Sequence, residues 1–275
     1  MSHRSILLTG AGGFIGQRLA SALTASGHRV RGLSRRTGHD FAQLTEPDRW
    51  RPLLAGIDTV INAVGIIAEA RAQHYEPIHH LAPAALFQTA TECGVERIIQ
   101  ISALGADDQA ITDYQRSKYA ADQVLRGLSV IGFILRPSLI IGADNASLRL
   151  FRRMARLPLI FLPGRSEQWV QPIHIDDVVD TVLRCLDFPG PGETLDLVGP
   201  QPLRFRDFLA RLQCGSPPRY LSIPLPLLRA GLQLGQHWSP LLQPDNLRML
   251  EQGSTADAAP LTGFLGRPLR GMETA

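Results

Sequence analysis

A tyrosine and the only lysine of this chain stand four residues apart and form the clearest candidate for acid–base chemistry. The chain has 28 basic residues, and all but one of them are arginines; the exception is Lys118, which follows Tyr114 in the segment Tyr-Gln-Arg-Ser-Lys. Arginine keeps its proton and spreads its charge over a wide plane, whereas lysine is a compact cation whose pKa responds to its surroundings. A lysine kept at this one place therefore indicates a site that needs a compact, tunable charge.

The spacing of the pair predicts a shared helix face. Residues i and i+4 of a helix are neighbours, so we expect the Lys118 ammonium beside the Tyr114 phenol. A nearby cation favours the phenolate and should lower the pKa of Tyr114 toward neutrality. Such a tyrosine can exchange a proton with a substrate at working pH. The simpler alternative is a pair of surface neighbours without a chemical role.

A glycine-rich turn points to a second site, for a nucleotide. Gly10, Gly13 and Gly16 are spaced three apart between an apolar segment and a helical one. At such a junction the first glycine permits a tight turn, the second lets backbone approach a pyrophosphate, and the third lets the helix pack closely. The following helix N-terminus adds free N–H groups and the positive end of a dipole. We predict a nucleotide site here, with a plain tight turn as the alternative.

The residues after the second predicted strand favour NADP over NAD. Ser34, Arg35 and Arg36 follow that strand, where an NAD site usually has an acidic residue for the ribose hydroxyls. Two guanidinium groups can instead clamp a 2′-phosphate. NADP is therefore the predicted cofactor and NAD the second candidate, while a solvated basic loop is the alternative without a ligand.

These sites need a scaffold, and the first two-thirds of the chain alternates strand and helix patterns. Short apolar runs bounded by turn residues predict strands, and longer periodic runs between them predict helices. The predicted strands are 5–9, 29–33, 58–63, 97–101 and 132–136, and the predicted helices are 14–25, 50–54, 76–93 and 114–125. This alternation predicts an α/β fold with a doubly wound parallel sheet of the Rossmann type.

The alternation of strand and helix patterns ends near residue 145, beyond which prolines accumulate. We predict a dinucleotide-binding domain over residues 1–145, completed by residues 170–198 with one more strand at 195–198. A smaller, irregular substrate or partner domain is predicted over 146–275, interleaved with the first.

Composition excludes several classes of protein. The apolar fraction of 44%, the charged fraction of 19% and the net charge of +3 are typical of a soluble globular protein. The arginines are spread along the chain, which argues against a nucleic-acid partner. Three cysteines without a CxxC pair, the absence of a signal-peptide pattern and the absence of an apolar run of about 20 residues favour the cytoplasm.

Four motifs in the expected order resemble those of an extended or atypical short-chain dehydrogenase/reductase. They are the glycine turn from Thr9 to Gly16, Asn62-Ala63-x-Gly65, Tyr114-x-x-x-Lys118 and Arg136-Pro137-Ser138. Residues 94–106, 171–178 and 265–268 further resemble the branch that contains the nucleotide-binding accessory subunit of respiratory complex I and its bacterial relatives.

The resemblance implies a role for each matching residue. Tyr114 would exchange a proton with a substrate hydroxyl or carbonyl, and Lys118 would hold the nicotinamide ribose. The cofactor would supply hydride chemistry. The remaining cofactor-binding residues implied by the turn and motifs are Gly10, Gly13, Phe14, Ile15, Gly16, Ser34, Arg35, Arg36, Gln43, Ala63, Gly65, Pro137 and Ser138.

Two positions depart from the family pattern. The usual Ser or Thr at the end of the fourth strand aligns with Ala103, which leaves Ser102 as the candidate hydroxyl one residue early. One residue along a strand moves a side chain to the opposite face, so the substitution puts catalysis in doubt. Gln43 stands where the family usually has an aspartate that contacts adenine, and its amide can still hydrogen-bond adenine.

Other polar and basic groups give weaker signals. No metal site is predicted: Asp177 is expected to cap or join a helix near Val178, and His79 and His80 are adjacent and so point to different sides of their helix. Residues 148–161 mix arginines with apolar residues, and 225–234 form a second apolar stretch. The simple interpretation is a packed helix pair; the alternative is a basic face that docks on an anionic membrane or a membrane complex.

Two functions remain open at the level of sequence. The leading one is an NADP-dependent oxidoreductase or epimerase-type enzyme with Tyr114 and Lys118 at its centre and an unknown small-molecule substrate. The other is a nucleotide-binding accessory or sensor module of a respiratory or quinone-related assembly, with little turnover. A homodimer and a peripheral position at a membrane or respiratory complex both stay open.

Overall fold

Six parallel strands form a central sheet, and five of them lie in the first half of the chain. The computed structural model describes residues 3–70, 73–143, 146–163, 168–213, 219–223 and 244–272. The strands are β1 (Ser5–Thr9), β2 (Arg29–Leu33), β3 (Thr59–Asn62), β4 (Arg97–Ile101), β5 (Ile131–Pro137), β6 (Ile140–Ile141), β7 (Leu159–Pro163), β8 (Trp169–Val170), β9 (Ile173–His174), β10 (Thr194–Leu197), β11 (Leu203–Arg204) and β12 (Arg219–Ile223). The central sheet has the order β2-β1-β3-β4-β5-β10, which confirms the predicted doubly wound α/β fold.

Helices cover both faces of this sheet. They are α1 (Phe14–Ala25), α2 (Pro47–Leu54), α3 (Ala82–Glu92), α4 (Asp113–Arg126), α5 (Ala146–Ala155), α6 (Ile175–Asp187), α7 (Phe205–Arg211), α8 (Pro244–Gln252) and α9 (Ala259–Leu265). The helix predicted over 76–93 begins as a π-wound segment, Glu76–Leu81, and continues directly as α3. No helix in the described part of the chain is long and apolar enough to cross a membrane.

The strands are apolar on both faces because two helical layers enclose them. Ile6 and Leu8 of β1 pack with α1, α6 and α9 in one core cluster, whereas Leu7 packs with α2, α3 and α4 in the other. All three side chains are fully buried. Burial of each contributes roughly 1.5–3 kcal/mol relative to an exposed side chain. An unbroken apolar run is therefore the pattern of a sheet covered on both sides.

The strand order places a crevice at the carboxyl ends of β1 and β3. The chain passes from β1 to β2 on one side and later returns to β3 on the other, and ligands of such sheets bind where the order reverses. A buried polar ladder ties the strands together beside this crevice. Thr9 Oγ1 donates to Asn62 Oδ1 at 2.5 Å, and Asn62 Nδ2 donates to Gln100 Oε1 at 2.7 Å.

The second half of the chain adds one strand to the sheet and builds three small two-stranded sheets. The strand predicted at 195–198 is β10, which pairs with β5. The small sheets pair β6 with β9, β7 with β12 and β8 with β11. A third core cluster lies among them, with Phe205 and Phe208 stacked at 6.1 Å. The apolar stretch at 225–234 lies outside the described residues.

Helix α6 begins at Ile175, three residues before the predicted start near Val178. The capping group is His174, whose Nδ1 accepts the N–H of Asp176 at 3.2 Å. Of the two predicted roles for Asp177, capping is wrong because His174 caps the helix, whereas joining the helix is confirmed, since Asp177 lies within the first turn. Asp177 is fully buried. Its carboxylate accepts hydrogen bonds from Arg267 and Arg270 and so holds the C-terminal segment against α6.

Candidate nucleotide and active site

The glycine turn lies between β1 and α1 and is shaped by close backbone contacts. Gly10 has a φ of +71°, which L side chains rarely adopt. A Cβ on Gly10 would lie 2.6 Å from the carbonyl oxygen of Ala63, and a Cβ on Gly16 would overlap the carbonyl group of Gly10. The turn can therefore fold this tightly only with glycine at these positions. Gly10, Gly12 and Gly13 of this turn line a cavity next to the N-terminus of α1.

A cavity of about 250 Å³ opens beside this turn. Its lining includes Gly10, Gly13 and three residues that follow β2, namely Ser34, Arg35 and Arg36. Both arginines are exposed, and neither forms an ion pair within the described part of the chain. The structure thus brings the predicted arginine pair to the glycine turn with both guanidinium groups uncommitted.

The predicted adenine contact is less well placed. Gln43 lies in a short 3-10 turn, Phe41–Gln43, and is not part of the cavity lining. Asp40 and Phe41 line the cavity instead, and Gln43 Nε2 donates to Asp40 Oδ2 at 3.4 Å. The sequence alone could not show that Asp40 and Phe41, and not Gln43, would face the cavity.

Helix α4 carries Tyr114 and Lys118, and a capping box fixes where it begins. The Thr112 hydroxyl accepts the N–H of Gln115 at 3.2 Å, and the Gln115 side-chain oxygen accepts the N–H of Thr112 at 3.3 Å. The buried face of the helix then carries Lys118 and Asp122, one and two turns beyond Tyr114. The predicted sharing of a face is confirmed by this arrangement.

Lys118 is buried and holds two backbone segments together. Its ammonium donates to the carbonyl oxygen of Val64 at 3.0 Å and to that of Ile101 at 3.1 Å. Burial lowers the pKa of Lys118 to about 8, while the charge of Asp122 acts in the opposite direction. An ammonium has three N–H donors, so one remains for a ligand. A Cβ on Gly65 would lie only 3.1 Å from Nζ, which explains a glycine at that position.

The expected lowering of the Tyr114 pKa is wrong for this structure. Burial raises the pKa of Tyr114 to about 12. The expectation assumed that the ammonium of Lys118 would act on the phenol, but that ammonium is directed to two carbonyl oxygens. Tyr114 is consequently a neutral phenol at physiological pH and can donate a proton.

A second cavity, of about 420 Å³, joins the pair to the glycine turn. Tyr114 and Lys118 line it, and it shares Gly13 and residues 63–66 with the first cavity. The other predicted residues in its lining are Phe14, Ile15, Ala63, Gly65, Ser102, Pro137 and Ser138. Gly16 lies outside both linings and packs against the turn itself. The structure thus gathers most of the predicted site along one continuous crevice.

Ser102 continues the face of β4 that packs on α4. Its hydroxyl donates to Asp122 Oδ2 at 2.5 Å, and the side chain is 3% exposed. Ala103 also lines the cavity, but a methyl group cannot bind an oxygen. Burial raises the pKa of Asp122 to about 6, against the opposing effects of the Ser102 hydrogen bond and of nearby cations. The predicted catalytic hydroxyl is therefore engaged with a carboxyl group on the helix.

His79 is a site residue that the sequence did not reveal. It is 1% exposed, and its Nε2 accepts the N–H of Ile66 at 3.0 Å. Its Nδ1 lies 3.0 Å from the Ser117 hydroxyl, which itself donates to the carbonyl oxygen of Tyr114 at 2.8 Å. The single Ser117 proton is thereby used, so Nδ1 must carry the imidazole proton and donate.

The environment of His79 keeps the imidazole neutral. Burial, and then the charge of Lys118, lower the pKa of His79 to about 2. The ring stacks on Tyr75 and meets Tyr114 edge to face at 5.4 Å. His80 is partly exposed and pairs with Glu76, so the expectation that the two histidines point to different sides is confirmed. Adjacent histidines gave no sign of which one would be buried.

Comparison with known proteins agrees with this geometry. The model of the NAD dependent epimerase/dehydratase family matches residues 6–197. The NADH dehydrogenase (ubiquinone) 1 alpha subcomplex subunit 9 of Arabidopsis thaliana is 28% identical over 247 residues, covering 80% of this chain and 60% of the plant protein. The ceramide reductase of Caulobacter vibrioides is 27% identical over 255 residues, covering 86% of this chain and 78% of that enzyme. The chain spans 55% of the mouse counterpart of the plant subunit.

Solved structures share the fold at low sequence identity. MoeE5 in complex with UDP-glucose and NAD superposes with a TM-score of 0.73 at 19% identity and covers 98% of this chain and 95% of its own. The UDP-glucuronic acid 4-epimerase from Bacillus cereus superposes with a TM-score of 0.72 at 18% identity, with 98% and 96% covered. The family match extends over most of the chain and confirms the resemblance inferred from the motifs. This protein belongs to the NAD dependent epimerase/dehydratase family.

Proposed function

We propose that this protein is an NADP-binding oxidoreductase that uses Tyr114 as proton donor and Lys118 as the cation that holds the cofactor. The observation that carries the proposal is the continuity of the crevice, in which residues 63–66 line both the cavity at the glycine turn and the cavity at Tyr114. A dinucleotide has two ends that need two such connected spaces.

The residues present fit a dinucleotide. The cavity beside Gly10 and Gly13 and the free N–H groups of α1 suit a pyrophosphate, and the uncommitted Arg35 and Arg36 suit a 2′-phosphate. Lys118 has one N–H left for a ribose hydroxyl. The cofactor would supply the hydride; everything else required of the site is orientation, exclusion of water and one proton.

The protonation of Tyr114 favours reduction of a carbonyl over oxidation of an alcohol. With a pKa of about 12, the phenol keeps its proton near neutral pH and can donate it to a carbonyl oxygen as charge develops there. Abstraction of a proton from an alcohol would require the phenolate, which burial disfavours. The reductase named among the relatives supports the same direction.

The first test is a titration of cofactor-stripped protein with NADPH and with NADH, followed by nicotinamide fluorescence. The Arg35→Glu/Arg36→Glu variant should lose at least about 100-fold in NADPH affinity, since each of the two charged hydrogen bonds contributes about 1.5–3 kcal/mol. NADH affinity should change far less. Arg29→Glu, an exposed charge reversal on β2 away from the cavity, is the matched control. Equal losses for both cofactors would contradict the NADP assignment.

The alternative candidate is that the protein serves as a nucleotide-binding accessory module of a respiratory assembly and has little turnover. Ala103 in the cavity lining favours it, because it removes the hydroxyl expected beside Tyr114. Two relatives whose names assign them to NADH dehydrogenase also favour it. Tyr114→Phe separates the two functions. Loss of NADPH oxidation with unchanged NADPH affinity would support the enzyme, whereas full activity of a host respiratory assembly with the variant would support the module.

A further inference from the structure

Apart from a few polar groups, the lining of the second cavity is apolar. Val170 of β8 and Met249 and Leu250 of α8 line it, together with Leu104 and Ile67. These residues come from the part of the chain after β5 and from the loops that follow β3 and β4, and they are separate from the glycine turn, which contributes Gly13 and Phe14 to the lining. The volume of about 420 Å³ is within the range of ligand pockets.

Most polar side chains in this lining already form hydrogen bonds with other groups of the protein. Ser102 donates to Asp122, and Ser138 donates to the carbonyl oxygen of Gln171 at 2.6 Å. Gln115 closes the capping box of α4. Among the lining side chains that the structure describes, this leaves the hydroxyls of Tyr114 and Ser254 for a ligand.

Charge in the lining is equally limited. Lys118 is the one cation among the lining residues that the structure describes, and two of its three N–H groups are bound to backbone carbonyls. Its third N–H is assigned above to the cofactor ribose. A diphosphate group would have to leave water for a space in which the described lining residues offer no cation beyond Lys118, and burial of a charge without a partner is costly.

We propose that the substrate is an uncharged, largely apolar molecule with a single carbonyl or hydroxyl oxygen at Tyr114, and not a nucleotide sugar. This inference rests on the proposed function, because it assigns the substrate side of the same crevice. Apolar walls bind such a molecule through the area they remove from water. Tyr114 then supplies the one directional contact, which orients the oxygen.

The test uses secondary alcohols on the NADPH complex, since NADPH cannot reduce an alcohol and binding is read without turnover. NADPH affinity is measured first, and the saturated complex is then titrated calorimetrically with the series from 2-hexanol to 2-decanol and with millimolar UDP-glucose. We expect the dissociation constant to fall about fourfold for each added CH₂, from roughly 0.8 kcal/mol of burial per group. UDP-glucose should give no binding heat.

A matched pair of variants on α8 locates the binding surface. Met249→Gln keeps the size of the side chain while making it polar, and we expect about a tenfold loss of affinity for 2-decanol with unchanged NADPH affinity. Arg248→Gln changes an exposed residue of the same helix, paired with Asp245, and should leave both affinities unchanged.

Three results would overturn the inference while the proposed function stands: binding of UDP-glucose to the NADPH complex, alcohol affinity independent of chain length, or equal effects of the two variants. Failure of the first step, NADPH binding itself, would overturn the proposed function and this inference with it.

Discussion

Replacement of His79 by phenylalanine should change how the stability of the protein depends on pH. Phenylalanine keeps an aromatic ring between Tyr75 and Tyr114 but removes the acceptor for the Ile66 N–H and the donor to Ser117. An orphaned backbone N–H at this depth costs about 1–3 kcal/mol. At pH 8 the variant should therefore be about 2 kcal/mol less stable than the original protein.

The gap should close as the pH falls. The pKa of His79 is about 2 in the folded protein, far below the value of about 6.5 in an unfolded chain. Below pH 6.5 the unfolded state therefore binds a proton at His79 that the folded state does not bind. The free energy of unfolding consequently decreases as the pH falls below 6.5. At 1.36 kcal/mol per pH unit, the loss due to this residue is about 2 kcal/mol at pH 5. His79→Phe cannot show this loss.

The assay is urea unfolding of both proteins at pH 8, 6.5 and 5, with free energies extrapolated to water. Other titrating groups, such as Asp122, affect both proteins and cancel in the difference. His80→Phe is the control, because His80 is partly exposed and pairs with Glu76 on the outside of the same segment. At pH 8, His80→Phe should change the free energy of unfolding far less than His79→Phe, because no buried backbone N–H loses its acceptor.

A gap between His79→Phe and the original protein that stays constant from pH 8 to pH 5 would refute the reasoning. It would mean that the imidazole is free to take up a proton in the folded state. The assignment of the imidazole proton to Nδ1 would then also be wrong.

Two further substitutions test the layer behind the site. Asp122 has a folded pKa of about 6, above the unfolded value, so the folded state loses stability as the pH rises from 4 to 7. Relative to the original protein, Asp122→Asn should gain about 2 kcal/mol over that range. The measurement is urea unfolding at both pH values, and an equal difference between the two proteins at pH 4 and pH 7 would count against burial as the cause. Arg97, 5% exposed, donates to the carbonyl oxygens of Cys185 and Phe188, so Arg97→Met should lower the free energy of unfolding by about 2 kcal/mol, seen as a lower urea midpoint with an unchanged slope.

The sheet could be predicted because its strands carry a local signal. Strands buried on both faces are apolar throughout, so β1, β3, β4 and β5 stand out as runs between turn residues, and α1 was predicted with the bounds found. The small sheets of the second half carry no such signal. A two-residue strand has no periodicity, and β7 pairs with β12 across about 60 intervening residues.

The site residues could likewise be predicted only where the pattern that carries them is local in sequence. The glycine turn and the Tyr114–Lys118 pair are local patterns, so spacing alone found them. Met249 lines the second cavity from a helix far along the chain, and His79 packs against Tyr114 from the segment before α3. The adjacency of His79 and His80 gave no reason to prefer one over the other. Asp122 was within reach of inference, because it lies four residues beyond Lys118 on the same face; only its contact with Ser102 needed the fold.

The Tyr114 pKa shows where reasoning from spacing stops. Positions i and i+4 of a helix determine that two side chains share a face, but they do not determine which atoms the longer one reaches. Lys118 donates to the carbonyl oxygens of Val64, which follows β3, and of Ile101, which ends β4. These two strands pair only in the folded sheet. With the ammonium engaged there, burial decides the protonation of Tyr114 and keeps the proton on the phenol. The pair that spacing identified as able to exchange a proton in either direction therefore forms, in this fold, a proton donor and a cation that binds the backbone on two sides of the crevice.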